Sequence, residues 1–252
     1  MSPVVEQVIV VVGGTRGIGE AIAADLALRG ATLVVAGRDE VAAHRVAHAI
    51  EAEGGRAVGV GCDVTRQADC DRLIEIATTT FGRLDTLFAN QGVGGVGRPM
   101  IEWSEAESTS CLDVNLLGCL NLARASHAAL AADGGGRLIV TGSGTGHNNT
   151  HNSGMYGISK AAVSHLVRQL ALEWRRDDIA VNELIPGPVR TEMTGWSDEG
   201  TAERQDDFSR FAAQRREWLK DPVDVTPLAR LIAEFPANGP SGQVFCLNGR
   251  LL

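Results

Sequence analysis

Short apolar runs alternate with longer helix-like stretches, and this alternation restricts how the chain can fold more than any other feature. Runs such as VIVVV and RLIVT are apolar throughout, and each precedes a stretch with apolar residues at helical spacing. Continuous apolar strands between helices are typical of a parallel sheet covered on both faces. The predicted strands lie within residues 4–12, 31–37, 56–64, 83–90, 136–143, 178–187 and 242–249.

The alternation predicts a doubly wound α/β fold of the Rossmann type, with about seven parallel strands flanked by helices. We expect one domain over residues 1–252, because no linker, composition break or internal repeat divides the chain. A long helix is predicted from about Ser104 to Leu130, and another from near Gly154. The polar insertion at 194–221 is expected to be a lid, and its Phe208, Phe211 and Trp218 favour closure over something apolar.

A glycine-rich segment, VGGTRGIG at 12–19, follows the first predicted strand and opens a helix. Glycines at 13, 17 and 19 permit a tight turn and let backbone N–H groups approach a pyrophosphate at the helix N-terminus. The segment therefore predicts a nucleotide-binding loop.

The end of the second predicted strand bears on the choice of nucleotide. Folds that bind NAD usually place an acid there for the ribose 2′-OH, but this chain has Gly37 and Arg38. Arg16 in the glycine loop can approach the same point. Two guanidiniums suit a 2′-phosphate, so we predict NADP(H) rather than NAD(H). Two solvated surface arginines are the alternative interpretation.

Tyr156, the only tyrosine, precedes Lys160 by one helical turn, which places both side chains on the same face. A tyrosine normally titrates near ~10, and a neighbouring ammonium lowers that value, so such a pair can act as a general acid. Ser143 ends an apolar strand at the edge where α/β folds bind ligands, and its hydroxyl can bond a substrate carbonyl. Asn115 is a polar residue within an apolar helix, suited either to bonding a backbone carbonyl or to holding a water.

With these residues in place, the chain resembles the short-chain dehydrogenase/reductase family over nearly its full length. The matching motifs are V-G-G-T-R-G-I-G (12–19), C-D-V (62–64), A-N-Q-G (89–92), V-N (114–115), Ser143, Y-G-I-S-K (156–160) and P-G-P-V-R-T (186–191). Each motif is modest alone, but their order and spacing together are specific.

The resemblance implies a catalytic tetrad of Asn115, Ser143, Tyr156 and Lys160. Tyr156 would be the acid/base and Ser143 would polarise the carbonyl. Lys160 would bond the nicotinamide ribose and favour the phenolate, while Asn115 would hold a relay water. The implied cofactor-binding residues are Gly13, Thr15, Arg16, Gly17, Ile18, Gly19, Arg38, Asp63, Val64, Asn90, Gly92, Tyr156, Lys160, Pro186, Gly187, Val189 and Thr191.

Three departures from the family pattern affect the surroundings of the tetrad. Val12 replaces a threonine before the first glycine, Gln91 replaces an alanine beside the nicotinamide region, and L-N-G-R-L-L replaces the usual C-terminal acid and paired glycines. These changes put substrate shape and subunit contacts in doubt rather than the chemistry.

The segment at 146–154, GHNNTHNSG, lies between the predicted catalytic serine and tyrosine. His147 and His151 lack a carboxylate or cysteine in the segment to complete a metal site, so no metal is predicted. The resemblance places this loop at the substrate pocket, where it would be a polar wall or a solvated loop.

Composition restricts the partners. The formal charge of −8 argues against non-specific nucleic-acid binding. No apolar run approaches the ~20 residues of a bilayer span, and no signal peptide is recognised. The scattered cysteines favour buried free thiols, so we expect a cytoplasmic protein; they are Cys62, Cys70, Cys111, Cys119 and Cys246.

The predicted function is an NADP-dependent oxidoreductase that transfers hydride between NADPH and a small carbonyl or alcohol substrate. One alternative is an epimerase or dehydratase that retains its nucleotide on the same scaffold. Another is a non-catalytic NADP-binding sensor or structural protein. By resemblance we also expect a homodimer or homotetramer built on the helices that contain Asn115 and Tyr156.

Overall fold

Seven parallel strands form one sheet in the computed structural model, which describes residues 3–94, 97, 99–194 and 218–248. The strands are β1 (Val8–Val12), β2 (Thr32–Gly37), β3 (Arg56–Gly61), β4 (Thr86–Ala89), β5 (Arg137–Thr141), β6 (Ala180–Ile185) and β7 (Val244–Cys246). Their order is β3-β2-β1-β4-β5-β6-β7. The predicted doubly wound sheet is confirmed, and its strand order reverses between β1 and β4, where such folds open a ligand crevice.

Helices cover both faces of this sheet. They are α1 (Gly17–Leu28), α2 (Glu40–Ala52), α3 (Gln67–Phe81), α4 (Glu105–Leu112), α5 (Gly118–Ala131), α6 (Gly154–Glu173) and α7 (Thr226–Ala233). A π-helical turn, Asp113–Leu117, joins α4 to α5. Short 3₁₀ segments lie at Met100–Glu102, Ala132–Gly134, Gly144–Gly146, Trp174–Asp177, Glu192–Thr194 and Pro222–Val225.

The core consists of two apolar layers, one on each face of the sheet. Residues of α3, α5 and α6 pack on one face together with Val10 and Val12 of β1. Residues of α1, α2 and α7 pack on the other face together with Ile9 and Val11. Alternate residues of one strand thus enter opposite layers, which explains why the strands are apolar throughout rather than alternating with polar residues.

The strands are shorter than their apolar runs predict. Asn90, Ser143 and Gly187 fall beyond the ends of β4, β5 and β6, so the polar residues after each run form the loops of the sheet edge. The long helix predicted from Ser104 is also interrupted. Ser104 is its N-cap, in a capping box with Glu107, but the π-helical turn divides the helix into α4 and α5.

The predicted lid falls mostly outside the described residues, which include only Thr194 and residues 218–221 of that insertion. Phe208 and Phe211 lie outside them. The five cysteines are all described; none forms a disulfide, and all but Cys246 are buried. Among the described helices, none combines the length and the apolar character that a bilayer span requires.

Candidate active site

A cleft of about 490 Å³ opens at the carboxyl ends of the strands. It is lined by loops that follow β1 to β6 and by Asn248, which follows β7. Every residue predicted for the site lines this cleft except Asn115 and Gly19. Parallel strands all end at the same edge of a sheet, so side chains far apart in sequence meet here.

The loop after β1 is shaped by two glycines at close backbone approaches. Gly13 has a left-handed φ of 72°, and its N–H donates to the Ala36 carbonyl of β2 at 2.8 Å. A Cβ on Gly19 would lie 2.1 Å from the Gly13 carbonyl oxygen. Asn90 Nδ2 donates to that same oxygen at 3.2 Å. Gly19 therefore supports the loop from behind rather than lining the cleft.

Helix α1 begins at Gly17 with its first turn at the cleft, which Gly17 and Ile18 line. The N-cap residue Arg16 makes no side-chain capping bond. The first N–H groups of a helix lack intrahelical partners and favour an anion. Arg45 of α2 holds the loop from outside, since its Nη2 donates to the Thr15 carbonyl at 3.0 Å. This cradle fits a pyrophosphate.

Arg38 follows β2 directly, is exposed, and lines the cleft. The nearest acid after it, Asp39, is the N-cap of α2, and its Oδ1 accepts from the Ala42 N–H at 3.0 Å. Asp39 is thus engaged in capping the N-terminus of α2, while Arg38 lines the cleft.

Arg16 has a partner that the sequence did not predict. Its Nη1 lies 2.5 Å from Glu192 Oε2, and the two side chains are 66% and 61% exposed. Glu192 belongs to the loop after β6 and lines the same cleft as the glycine loop. Exposed ion pairs contribute little, so this contact can be exchanged for a bound anion.

Lys160 and Tyr156 lie one turn apart on α6, and both line the cleft. The lysine is 3% exposed. Its Nζ donates to the Thr141 carbonyl at the end of β5, at 2.8 Å, and lies 5.9 Å from the centroid of the Tyr156 ring. The sheet thus fixes the ammonium group beside the phenol, in the arrangement that the sequence predicts.

Ser143 lies two residues beyond β5 and lines the same cleft. Its Oγ is 3.0 Å from Thr145 Oγ1 and accepts from the Thr145 N–H at 3.3 Å. Thr145 was not predicted as a site residue, because one hydroxyl in a loop carries no distinguishing pattern. The hydroxyl pair orients Ser143 before any substrate binds.

Asn115 is fully buried in the π-helical turn and does not line the cleft. Its Oδ1 accepts from the Val93 N–H at 2.8 Å. Its Nδ2 donates to the Val93 carbonyl at 2.9 Å and to Ser159 Oγ at 3.0 Å. The amide therefore ties the loop after β4 to α6, which is the backbone-bonding role considered for it from sequence.

Gln91 lines the cleft, and its amide is held by α5. Its Nε2 donates to Cys119 Sγ at 3.1 Å. Burial raises the pKa of the Cys119 thiol, so the sulfur remains a neutral thiol that accepts this bond.

Only part of the histidine-rich loop lines the cleft. Asn148, Asn149 and Thr150 line the cleft, whereas His147 and His151 do not. The described residues contain no group of histidines, cysteines or acids placed to hold a metal. A Cβ on Gly144 would lie 2.4 Å from Asn248 Nδ2, so the Asn248 amide packs directly on the turn after Ser143.

Comparison with known proteins identifies the family. The family model described as short chain dehydrogenase matches residues 7–202. The chain belongs to the short-chain dehydrogenase family. It is therefore an oxidoreductase that acts on a CH–OH or C=O group with a nicotinamide nucleotide, NAD(H) or NADP(H). The cradle at Gly13 and the open N-terminus of α1 fit the pyrophosphate of such a nucleotide.

Curated relatives and solved structures cover nearly the whole of this short-chain dehydrogenase. A tropinone reductase homolog of Arabidopsis thaliana is 29% identical over 242 residues, spanning 95% of this chain and 88% of the relative. The 7alpha-hydroxysteroid dehydrogenase of Escherichia coli K12 is 29% identical over 243 residues, spanning 95% and 92%. A crystal structure of a short-chain type dehydrogenase/reductase from Mycobacterium marinum superposes with a TM-score of 0.86 at 28% identity, covering 98% and 96%.

Proposed function

We propose that this short-chain dehydrogenase is an NADP-dependent carbonyl reductase with Tyr156 as its general acid. One observation carries the proposal. Ser143, Tyr156 and Lys160 line a single cleft with the glycine loop, and Lys160 is buried and fixed beside Tyr156 by the Thr141 carbonyl. The cleft that holds the glycine loop is thus also lined by a proton donor, a carbonyl-polarising hydroxyl and a cation.

The preference for NADP over NAD is supported by the residues after β2. Arg38 lines the cleft there, and the carboxylate that could bond a ribose 2′-OH is engaged at the N-cap of α2. A guanidinium binds a phosphate through paired, charge-assisted hydrogen bonds. Arg16 would join Arg38 once it exchanges Glu192 for the 2′-phosphate.

When bound, NADPH supplies the hydride. Tyr156 donates its phenolic proton to the substrate oxygen, and Ser143 Oγ donates a hydrogen bond to that oxygen. Lys160 donates one N–H to the Thr141 carbonyl. Its other two N–H donors remain for the ribose hydroxyls and for the phenolate that forms. Asn115 holds the loop at Val93, and we infer that it also holds the relay water. In the oxidative direction Tyr156 accepts the proton.

The glycine loop would hold the pyrophosphate of the nucleotide. Asp63 and Val64 would lie near the adenine, Asn90 near a ribose, and Pro186, Gly187, Val189 and Thr191 near the nicotinamide half. The substrate would be a small carbonyl compound or alcohol. A homodimer or homotetramer is supported by exposed apolar side chains near the site helices, Leu117 at 46% and Ile158 at 45% exposure. Buried free thiols support a cytoplasmic location.

The decisive experiment measures NADPH consumption against ketones, aldehydes, diketones and keto acids, in the wild-type protein and in Tyr156→Phe. We expect the variant to lose at least about 10²-fold in kcat, because only the proton donor is removed. Its Kd for NADPH should stay within about threefold of wild type, because the aromatic ring and Lys160 remain.

Two outcomes would contradict the proposal. Binding of NADPH without consumption of NADPH on any carbonyl would favour the non-catalytic sensor or the epimerase or dehydratase that retains its nucleotide. Turnover that survives in Tyr156→Phe would remove the assigned proton donor.

A further inference from the structure

A carboxylate lies inside the sheet, in a strand that is otherwise largely apolar. Glu183 of β6 has a side chain with 0% exposure, and its register partners on the neighbouring strands are Val140 and Val244. A buried carboxylate costs several kcal/mol unless it is paired and hydrogen-bonded. Within AVNELI the one side-chain donor is Asn182, and its Nδ2 donates to the Pro240 carbonyl at 2.7 Å instead.

The partner of Glu183 comes from the histidine-rich loop. His147 Nε2 lies 3.1 Å from both Glu183 carboxylate oxygens, and the imidazole side chain is only 16% exposed. Gly142 makes room for this contact, since a Cβ there would lie 1.8 Å from Glu183 Oε1. Three residues that look unrelated in the sequence therefore form one buried unit.

This unit holds His147, the last residue of a turn that begins at Ser143. The Gly146 N–H donates to the Ser143 carbonyl at 2.9 Å, and the His147 N–H donates to the Gly144 carbonyl at 3.2 Å. The turn also packs directly on α6, because a Cβ on Gly146 would lie 2.6 Å from the carbonyl carbon of Lys160. A shift of His147 would thus be transmitted to Ser143 through one tight turn.

We propose that the His147–Glu183 pair positions the catalytic serine. The pair holds the turn at residues 143–147 against α6 and so fixes the Ser143 hydroxyl relative to Tyr156. Neither residue lines the cleft, so both act through Ser143 and touch neither substrate nor nucleotide. The expected effect on kcat rests on the proposed reductase function. The expected effect on the turn itself rests only on the contacts described above.

The kinetic test is a double-mutant cycle between His147→Ala and Ser143→Ala. Misplacing a catalytic group by about 1 Å can cost up to ~10²-fold, so we expect His147→Ala to lower kcat about 10- to 30-fold. The KM for NADPH should change less than about twofold, because the glycine loop is untouched. In the Ser143→Ala background, loss of His147 should lower kcat less than about threefold. Effects that multiply in the double variant would overturn the proposal.

Two further variants control for folding and for residue type. Glu183→Gln keeps the size and one acceptor oxygen, and we expect it to retain more of kcat than His147→Ala. His151→Ala removes the same residue type from the same loop. His151 is exposed and does not line the cleft, so its removal should leave kcat unchanged.

Hydrogen exchange of the turn amides tests the proposal without any turnover. The amides of Gly146, His147 and Asn148 donate to the carbonyls of Ser143 and Gly144. Their exchange should become at least about fivefold faster in His147→Ala and stay unchanged in His151→Ala. Unchanged exchange in His147→Ala would overturn the proposal. If the wild-type protein reduces no carbonyl, the reductase assignment fails, and the exchange result alone then decides whether the pair holds the turn.

Discussion

Replacing Asn115 by alanine should lower the stability of the protein as well as its activity. The wild-type amide satisfies both backbone polar groups of Val93, at 2.8 and 2.9 Å, and bonds Ser159 Oγ at 3.0 Å. Alanine strands the Val93 N–H and carbonyl, and an unpaired buried polar group costs about 1–3 kcal/mol. Both groups are half-buried and the weak thiol contact from Cys111 to the same carbonyl remains, so the lower part of that range applies and the two together give about 3 kcal/mol.

For a chain of this size, 1 kcal/mol shifts Tm by about 2–4 °C, so Asn115→Ala should melt about 6–12 °C below wild type. Thermal unfolding followed by circular dichroism, without nucleotide, measures this difference. Ser143→Ala is the matched control, because it removes a polar group from the same site whose hydrogen bonds go only to Thr145 in the same turn. A Tm of Asn115→Ala within 2 °C of the control would refute the assignment of Asn115 as the support of the Val93 loop.

Two further predictions concern the 2′-phosphate, and fluorescence titration of NADPH and NADH checks both. Arg38→Asp should raise the Kd for NADPH at least about tenfold while changing that for NADH less than about threefold, because only the phosphate bond is lost; equal weakening of both would contradict it. Glu192→Gln should lower the Kd for NADPH about two- to fivefold, as expected for release of Arg16 from an exposed ion pair. An unchanged Kd would mean that Arg16 does not reach the phosphate.

Most of the fold could be predicted because its signals are local. Continuous apolar runs such as VIVVV mark strands buried on both faces, and residues that follow those runs must gather at one edge of the sheet. Gly13 and Ser143 are therefore predicted at one edge of the sheet from their positions alone, whereas the family resemblance adds Lys160 to the site. The interruption at Asp113–Leu117 could not be predicted, because helical periodicity does not show that the Asn115 amide bonds a distant loop.

The contacts that escaped prediction join residues distant in sequence. His147 and Glu183 are 36 residues apart, and Arg16 and Glu192 are 176 apart. Neither pair has a pattern of its own, since a histidine in a polar loop and an acid in a strand each suggest several environments. The lone acid within AVNELI was the available signal, because an acid in a buried strand requires a partner.

The position of Asn248 in the cleft lining has a consequence for how the protein folds during its synthesis. Parts of the cleft come from residues as far apart as Val12 and Asn248, and β7 reaches the sheet only by adding to β6. Synthesis proceeds from the N-terminus, at about 5–20 residues per second. A ribosome-bound chain can therefore assemble the glycine loop and the central strands early, yet it presents the complete cleft only after β7 has left the exit tunnel.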